Sequence, residues 1–396
     1  MTPRPTSQAG QRVAILGIRG LPARHGGFES FAERLAPYLA DAGWHVTVYC
    51  QEDGGGSRSV SQLGKVRCVH LPSGADTPVA SMRFDWRCID EVLSERPDVV
   101  LLLGYNTALF TLRLRAAGIP TVINMDGIEW GRAKWGLGAQ AWLYLNERVG
   151  CLLGHHLIAD HPVIERHLAT RVRNAKITTI PYGGALVDHA SASHLAPFGL
   201  KPGEYVSLIA RPEPENSVLE VVRAFSARRR HHKLMVLGQY EISESSFHRQ
   251  VLEAASDEVL FPGAIYDSAV VGALRKFSKL YVHGHQVGGT NPSLLDAMGA
   301  GNAVLAHDNP FNRWVAGDGA LYFRDELSCQ AAWDRLLSPD ANLQAMGQAN
   351  RQRVADVFDW QQVLSAYASL LLSVSRRRGG LGRKLVANRV WDGSVA

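Results

Sequence analysis

The chain has 396 residues, 46% of them hydrophobic and 20% charged, which excludes a disordered polymer and fits two packed domains. Its net charge of +5 sits at one end: Arg376, Arg377, Arg378, Arg383, Lys384 and Arg389 face Asp392 alone, leaving 36 basic and 36 acidic residues upstream. A neutral body excludes a general nucleic-acid surface, while the basic tail either touches anionic lipid or is simply solvated. The five cysteines are odd in number and scattered, without metal-ligand spacing, as expected of reduced core residues. The polar start has no apolar signal segment, and no run nears the ~20 residues that cross a bilayer, so a cytoplasmic protein is expected.

In chain order, the first half predicts strands at 12–18, 45–51, 66–71, 98–104, 121–125, 156–159 and 176–181. Several are near-continuous apolar runs, as in parallel strands buried on both faces. Helical patterns such as 28–42 and 139–153 alternate with them, and Gly43 is placed to stop the first. After the first strand comes Gly17-Ile-Arg-Gly-Leu-Pro-Ala-Arg-His-Gly-Gly-Phe-Glu-Ser30, a long glycine loop entering a helix. Its glycines lack dinucleotide-fingerprint spacing, and no Walker lysine follows. Gly20, Gly26 and Gly27 would let the backbone meet a diphosphate or an acceptor, with Arg19, Arg24 and Glu29 beside them; the alternative is a tight βα turn.

The fifth strand ends in Asn124-Met-Asp-Gly-Ile-Glu-Trp-Gly-Arg-Ala-Lys-Trp135. Carboxylates at a strand's C-terminal end lie where α/β sheets bind ligands, which singles out Asp126 and Glu129. Asp126 would take a proton from an acceptor hydroxyl or bind sugar hydroxyls, unless it merely caps a helix. Trp130 and Trp135 are either stacking platforms or core.

The stretch 190–203, rich in Ser, His, Pro and Gly, reads as a linker. The second half then predicts strands at 205–210, 233–237, 259–261, 279–283, 303–306 and 320–323, with helices at 217–230, 268–277 and 292–299. Arg211, at the end of the first of these strands, is a natural diphosphate clamp or else an ion-pair partner of Glu213 or Glu215. The richest segment is His283-Gly-His-Gln-Val-Gly-Gly-Thr-Asn-Pro-Ser-Leu-Leu-Asp-Ala-Met298. Gly288 and Gly289 permit close backbone approach, Thr290 or Asn291 caps a helix begun by Pro292, and that N-terminus suits phosphate. Asp296 lies in the helix's first turns. His283 and His285 either line the site or pack. Phosphate plus a carboxylate for hydroxyls suits a nucleotide-sugar. No H-E-x-x-H and no D-x-D pair offers a metal site.

These motifs together resemble retaining glycosyltransferases of the GT-B fold, in the family 4-like group, and more narrowly the β-1,4-rhamnosyltransferase-like branch of bacterial polysaccharide synthesis. The resemblance spans about residues 12–370. It implies an α/β fold of two Rossmann-like doubly wound domains facing a cleft: an acceptor-side domain at 12–189, a linker at 190–203 and a nucleotide-sugar domain at 204–359. A helix at 360–375 returns to the first domain, and 376–396 form a basic tail. The broad family has two glutamates separated by seven residues. Asp296 takes the second, ribose-binding position, but Gly288 stands at the first. Arg211 and Asn216 take the positions of the diphosphate-binding pair, Asn216 in place of the usual lysine. Both departures are shared by the branch and leave the donor sugar to backbone amides, Thr290 and Asn291. Asp126 takes the position of the family's group near the reacting carbon.

The resemblance implies a metal-independent, retaining hexosyltransferase without a resident cofactor. The expected donor is dTDP-L-rhamnose and the expected acceptor a lipid-linked or growing glycan of capsule or exopolysaccharide, with peripheral attachment to the inner membrane face. The alternatives are a nucleotide-sugar epimerase of the same fold, an NAD-dependent oxidoreductase, which the missing fingerprint opposes, and a non-catalytic assembly protein.

Overall fold

A computed structural model describes residues 10–376 apart from 24–25, 55 and 75–76; Arg24 and the tail beyond Arg376 lie outside the described residues. The described chain forms two compact units, the first running to Pro181 and resuming at Gln361, the second spanning Tyr182–Trp360.

In the first unit the elements are β1 (Arg12–Leu16), α1 (Gly27–Asp41), β2 (His45–Asp53), β3 (Ser59–Leu63), β4 (Val66–Gly74), α2 (Pro78–Glu95), β5 (Val99–Leu103), α3 (Thr111–Ala116), β6 (Thr121–Asn124), α4 (Leu137–Leu153), β7 (His156–Ala159), α5 (Pro162–Ala169) and β8 (Ile177–Thr179). They build an eight-stranded sheet in the order β3-β4-β2-β1-β5-β6-β7-β8. Only the β3–β4 pair is antiparallel. The central strands β5, β6 and β7 are buried at every position because helices cover both faces. β3 was not among the predicted strands; its residues are mostly exposed, so it lacks the apolar run that marks the others. Helix α2 was not among the named helical patterns either, although its signals are present. Thr77 caps it, Pro78 opens it, and Ala80, Phe84, Cys88, Ile89 and Val92 recur at helical spacing on the buried face.

The second unit comprises β9 (Tyr205–Ile209), α6 (Val218–Ser226), β10 (Lys233–Leu237), α7 (Ser246–Glu253), β11 (Val259–Gly263), α8 (Ser268–Lys276), β12 (Leu280–His283), α9 (Pro292–Gly299), β13 (Ala303–His307), α10 (Pro310–Ala316), β14 (Ala320–Phe323), α11 (Glu326–Leu336) and α12 (Leu343–Val357). Its six strands run in the order β11-β10-β9-β12-β13-β14, all parallel. Helix α13 (Trp360–Arg376) belongs to the first unit from Gln361 onward. There the Tyr367 ring lies 4.6 Å from that of Phe31, and its hydroxyl accepts from Asn124 Nδ2 at 2.8 Å.

Two boundaries differ from the sequence reading. The chain leaves the first unit after Pro181, ahead of the 190–203 stretch. That stretch is polar between its apolar residues, yet Leu195 and Leu200 are buried against Tyr205, Met235, Leu237 and Leu274 of the second unit. The predicted helix 217–230 is shorter, ending at Ser226. Arg230 turns inward instead, where its backbone N–H donates to Glu258 at 2.7 Å and its guanidinium pairs with Asp334. All five cysteines are buried and unbridged.

Candidate active site

Each sheet has one place where the strand order reverses, and ligands of open α/β sheets bind beside such points, at the strands' carboxyl ends. In the first unit this place lies between β1 and β5. Gly17, at φ 86°, follows β1 and lies so close to the end of β5 that a Cβ there would sit 2.1 Å from the Leu103 carbonyl oxygen. Beyond that contact opens a cavity of about 410 Å³, lined by Gly17–Arg19, Glu29, Thr77, Ser81, Asp85, Leu103–Gly104, Thr107 and Trp135 among others.

The glycine loop is held from α1. Glu29 is buried, and its carboxylate accepts the Arg19 N–H at 3.0 Å, while Glu33 accepts the Ala23 N–H at 3.1 Å. Gly26 is the N-cap of α1 and Gly27 its first residue, and Gly20, at φ 149°, packs on Cys50. Glu29 thus lines the cavity and anchors the loop as well. Asp85 of α2 was not singled out from the sequence. It is half-buried, and Thr107 Oγ1 donates to it at 2.8 Å. Burial raises its carboxyl to about 6 against the opposing Thr107 bond.

The 124–135 loop follows β6. Asp126 adopts φ 48°, a conformation that Asp and Asn tolerate better than most residues. Asn124 Oδ1 accepts its N–H at 2.9 Å, and Asn124 is itself held by Tyr367 of α13. Burial, then the charge of Glu129, pushes the Asp126 carboxyl up to about 6. Its side chain caps no helix; the short 3-10 turn after it starts from Ile128 without a side-chain cap. Glu129 pairs with Arg132 at 2.6 Å and accepts Trp135 Nε1–H at 3.3 Å. The two tryptophans divide. Trp130 donates to buried Glu147 at 2.6 Å, whereas Trp135 is 37% exposed and lines the cavity.

In the second unit the order reverses between β9 and β12. A Cβ on Gly284 would stand 2.1 Å from the Asn216 carbonyl oxygen, so the loops after the two strands touch backbone to backbone. Asn216, buried, donates to the Arg211 carbonyl at 2.9 Å. The Arg211 side chain is 73% exposed and only 3.8 Å from Glu213, a loose pair that leaves it available. Asn291 is the N-cap of α9, accepting the Ser293 N–H at 3.0 Å, with Pro292 next. Ser293 Oγ reaches the Ile209 carbonyl at 3.4 Å, which sets the first turn of α9 against the end of β9, two residues before Arg211. Gly288 has φ 141°, and Thr290 is buried next to it. Arg211, Gly288, Gly289, Thr290 and Asn291 therefore surround one strand-end region. Asp296 carries a partner that the sequence did not suggest: Arg275 of α8 lies 3.0 Å from it and donates also to Ser293 Oγ at 3.2 Å. The distance in sequence between α8 and α9 hid that pair.

His283 ends β12 fully buried, stacked on His285 with centroids 4.3 Å apart and planes 7° from parallel. Neither ring nitrogen has a hydrogen-bond partner among the described residues. Burial, then His285 and His307, holds it well below the usual histidine range, and burial likewise lowers His155 and His307. The unfolded chain takes up protons near pH 6.5 that the folded one refuses, so stability is present above that pH and lost below it. Asp85 and Asp126, raised to about 6, act in the opposite sense over the same interval, so the test is a difference: from about pH 7 down to about pH 5.5 the urea midpoint of wild type should drop relative to that of His283→Phe. Parallel midpoints in the two proteins would contradict this account.

Residues 26–183 match the family profile of the glycosyl transferase 4-like domain. A sucrose-phosphate synthase from Thermosynechococcus elongatus superposes with a TM-score of 0.79 at 18% identity, covering 91% of this chain and 98% of that one. The trehalose-6-phosphate protein from E. coli bound with UDP-2-fluoro glucose gives 0.71 at 12% identity, covering 91% and 98%. Anabaena HepE in complex with UDP gives 0.71 at 13% identity, covering 92% and 100%. No curated protein sequence matches. The fold is that of the GT-B glycosyltransferases, two Rossmann-like α/β units with parallel-dominated sheets. The family match therefore covers residues 26–183, a glycosyl transferase 4-like domain, and the likeness to the solved structures extends over the whole fold.

Proposed function

We propose that the protein transfers a sugar from a nucleotide donor, held by the second unit, to a hydroxyl of an acceptor sugar bound in the first-unit cavity. The observation that carries this reading is the strand-end region beside β9 and β12, where the capped first turn of α9, entered from the Gly288–Gly289 loop, lies against the end of β9 two residues before the exposed Arg211. Helix N–H groups and a guanidinium are the groups that stabilise charge growing on a departing diphosphate. Asp296 offers an acceptor to ribose hydroxyls, with Arg275 fixing its rotamer. In the first unit Asp85, Thr107, Ser81 and Thr77 present hydroxyl-binding groups, and Trp135 an aromatic face. No carboxylate stands at Gly288, and in this reading Asp126 is the group that meets the acceptor. We favour retention without metal or resident cofactor, with Asp126 accepting the acceptor's proton as the diphosphate leaves. The preferred donor is dTDP-L-rhamnose, and the preferred acceptor a lipid-linked glycan of a surface polysaccharide, met at the inner membrane face.

Incubation with dTDP-rhamnose and a lipid-linked glycan mimic should release dTDP and lengthen the glycan. Epimerised donor without a lengthened glycan would overturn the reading in favour of the epimerase. Arg211→Ala and Asp296→Ala should each weaken donor binding about tenfold or more, since a lost charged hydrogen bond costs ~1.5–3 kcal/mol. Calorimetric titration of donor into both variants checks this; wild-type affinity in folded variants would remove these residues from the site.

A further inference from the structure

The solvent side of α4 does not look like the surface of a helix meant for water. Leu137, Ala141, Tyr144, Leu145, Arg148 and Leu152 are all exposed, and their spacing puts them within one arc of about 100°. Leu137 is 85% exposed and Leu152 72%. The opposite face, with Leu143, Asn146, Glu147, Gly150 and Cys151, is buried. The helix has one carboxylate, Glu147, and it is buried, so the exposed stripe carries no negative charge. Cations sit on aromatics along it. The Arg148 guanidinium lies 5.1 Å over the Tyr144 ring, and just ahead of the helix Lys134 lies 4.7 Å over that of Trp135.

We infer that this face of α4 docks on an anionic lipid surface. Leucines supply apolar area that enters the boundary between headgroups and acyl chains, Tyr and Trp suit that depth, and Arg148 and Lys134 meet the negative headgroups. Charge decides between occupants. A second copy packed on this face would add its own Arg148 and Lys134 to the same seam, with no exposed acid on the stripe to pair them. A lipid surface supplies that acid. Trp135 also lines the β1/β5 cavity, so a surface that takes α4 lies beside it. None of the described helices is long and apolar enough to cross a membrane, so the contact is peripheral.

The test is flotation of the full-length protein with vesicles of phosphatidylcholine alone or mixed with phosphatidylglycerol, at low and high salt. It needs no donor and no turnover, so it stands or falls independently of the transfer reaction. Wild type should float with the anionic vesicles and less so at high salt. Leu145→Glu with Leu152→Glu should lower the bound fraction about tenfold or more at unchanged melting temperature. Leu137→Ser with Arg148→Glu is the second pair, should the first melt early. A full-length chain with Arg377, Arg378, Arg383 and Lys384 changed to Gln should keep most of its binding. Wild-type flotation by both α4 variants, loss of all binding in the tail variant alone, or absence of flotation throughout would overturn the inference. So would a concentration-dependent dimer in light scattering that the α4 variants dissolve, which would give the face to a second copy.

Discussion

Asp126→Asn should lower turnover about a hundredfold or more while leaving nucleotide binding intact. The argument begins with the backbone: a residue at φ 48°, just past a buried strand, is held by Asn124, which Tyr367 holds in turn. Asn preserves both that conformation and the side-chain size, so the fold should survive. What it removes is a carboxylate raised to about 6 by burial and by Glu129, a value suited to accepting a proton near neutrality. General-base contributions are typically ~10²–10⁴-fold. Turnover in the wild type should therefore rise with pH through about 6, and the variant should lose that limb. Steady-state rates with donor affinity measured alongside check this. Unchanged turnover would remove Asp126 from the mechanism, and a loss confined to donor affinity would move it to the donor side.

Glu147→Ala should destabilise the first unit by about 3–5 kcal/mol, the usual cost of removing one partner from a buried ionic group. Glu147 is 1% exposed on α4. It accepts from Trp130 Nε1 at 2.6 Å and Arg171 Nε at 3.3 Å, and lies 2.9 Å from His167 Nε2. Burial alone would raise its carboxyl; the bonds from His167, Trp130 and Arg171 outweigh that and hold it below the usual range. Without it, Arg171 keeps a charge with little water around it, and Trp130 no longer pins the loop that carries Asp126 and Glu129. Urea unfolding of the variant measures the cost. A shift under about 1 kcal/mol would show that the network adds little beyond a surface pair.

The alternation of apolar runs and helical patterns made the two-unit α/β architecture legible, because parallel strands buried on both faces leave unbroken apolar segments. Site loops were legible where they hold local signals: the Asn291–Pro292 cap, the Gly288–Gly289 pair, and the acids after β6. Groups joined across the fold were not. Arg275 meets Asp296 from a different helix, Tyr367 reaches Asn124 from the last one, and Asp85 gains meaning only when α2 lies beside the β1/β5 cavity. The polar 190–203 stretch misled because composition reports exposure on average, while a few apolar residues, Leu195 and Leu200 with Phe198 beside them, bind it to the second unit's core.

The central claim is that the second unit binds a nucleoside diphosphate through Arg211 and the start of α9. Its most direct test is the melting temperature of the full-length protein with dTDP, UDP or GDP added, for wild type and Arg211→Ala. A ligand that binds only the folded chain at about a hundred times its dissociation constant stabilises it by ~2.7 kcal/mol. At least one of the three should raise the wild-type midpoint by several degrees, and the same addition should leave Arg211→Ala almost unmoved. Equal shifts in both proteins, or no shift with any of the three, would contradict the claim.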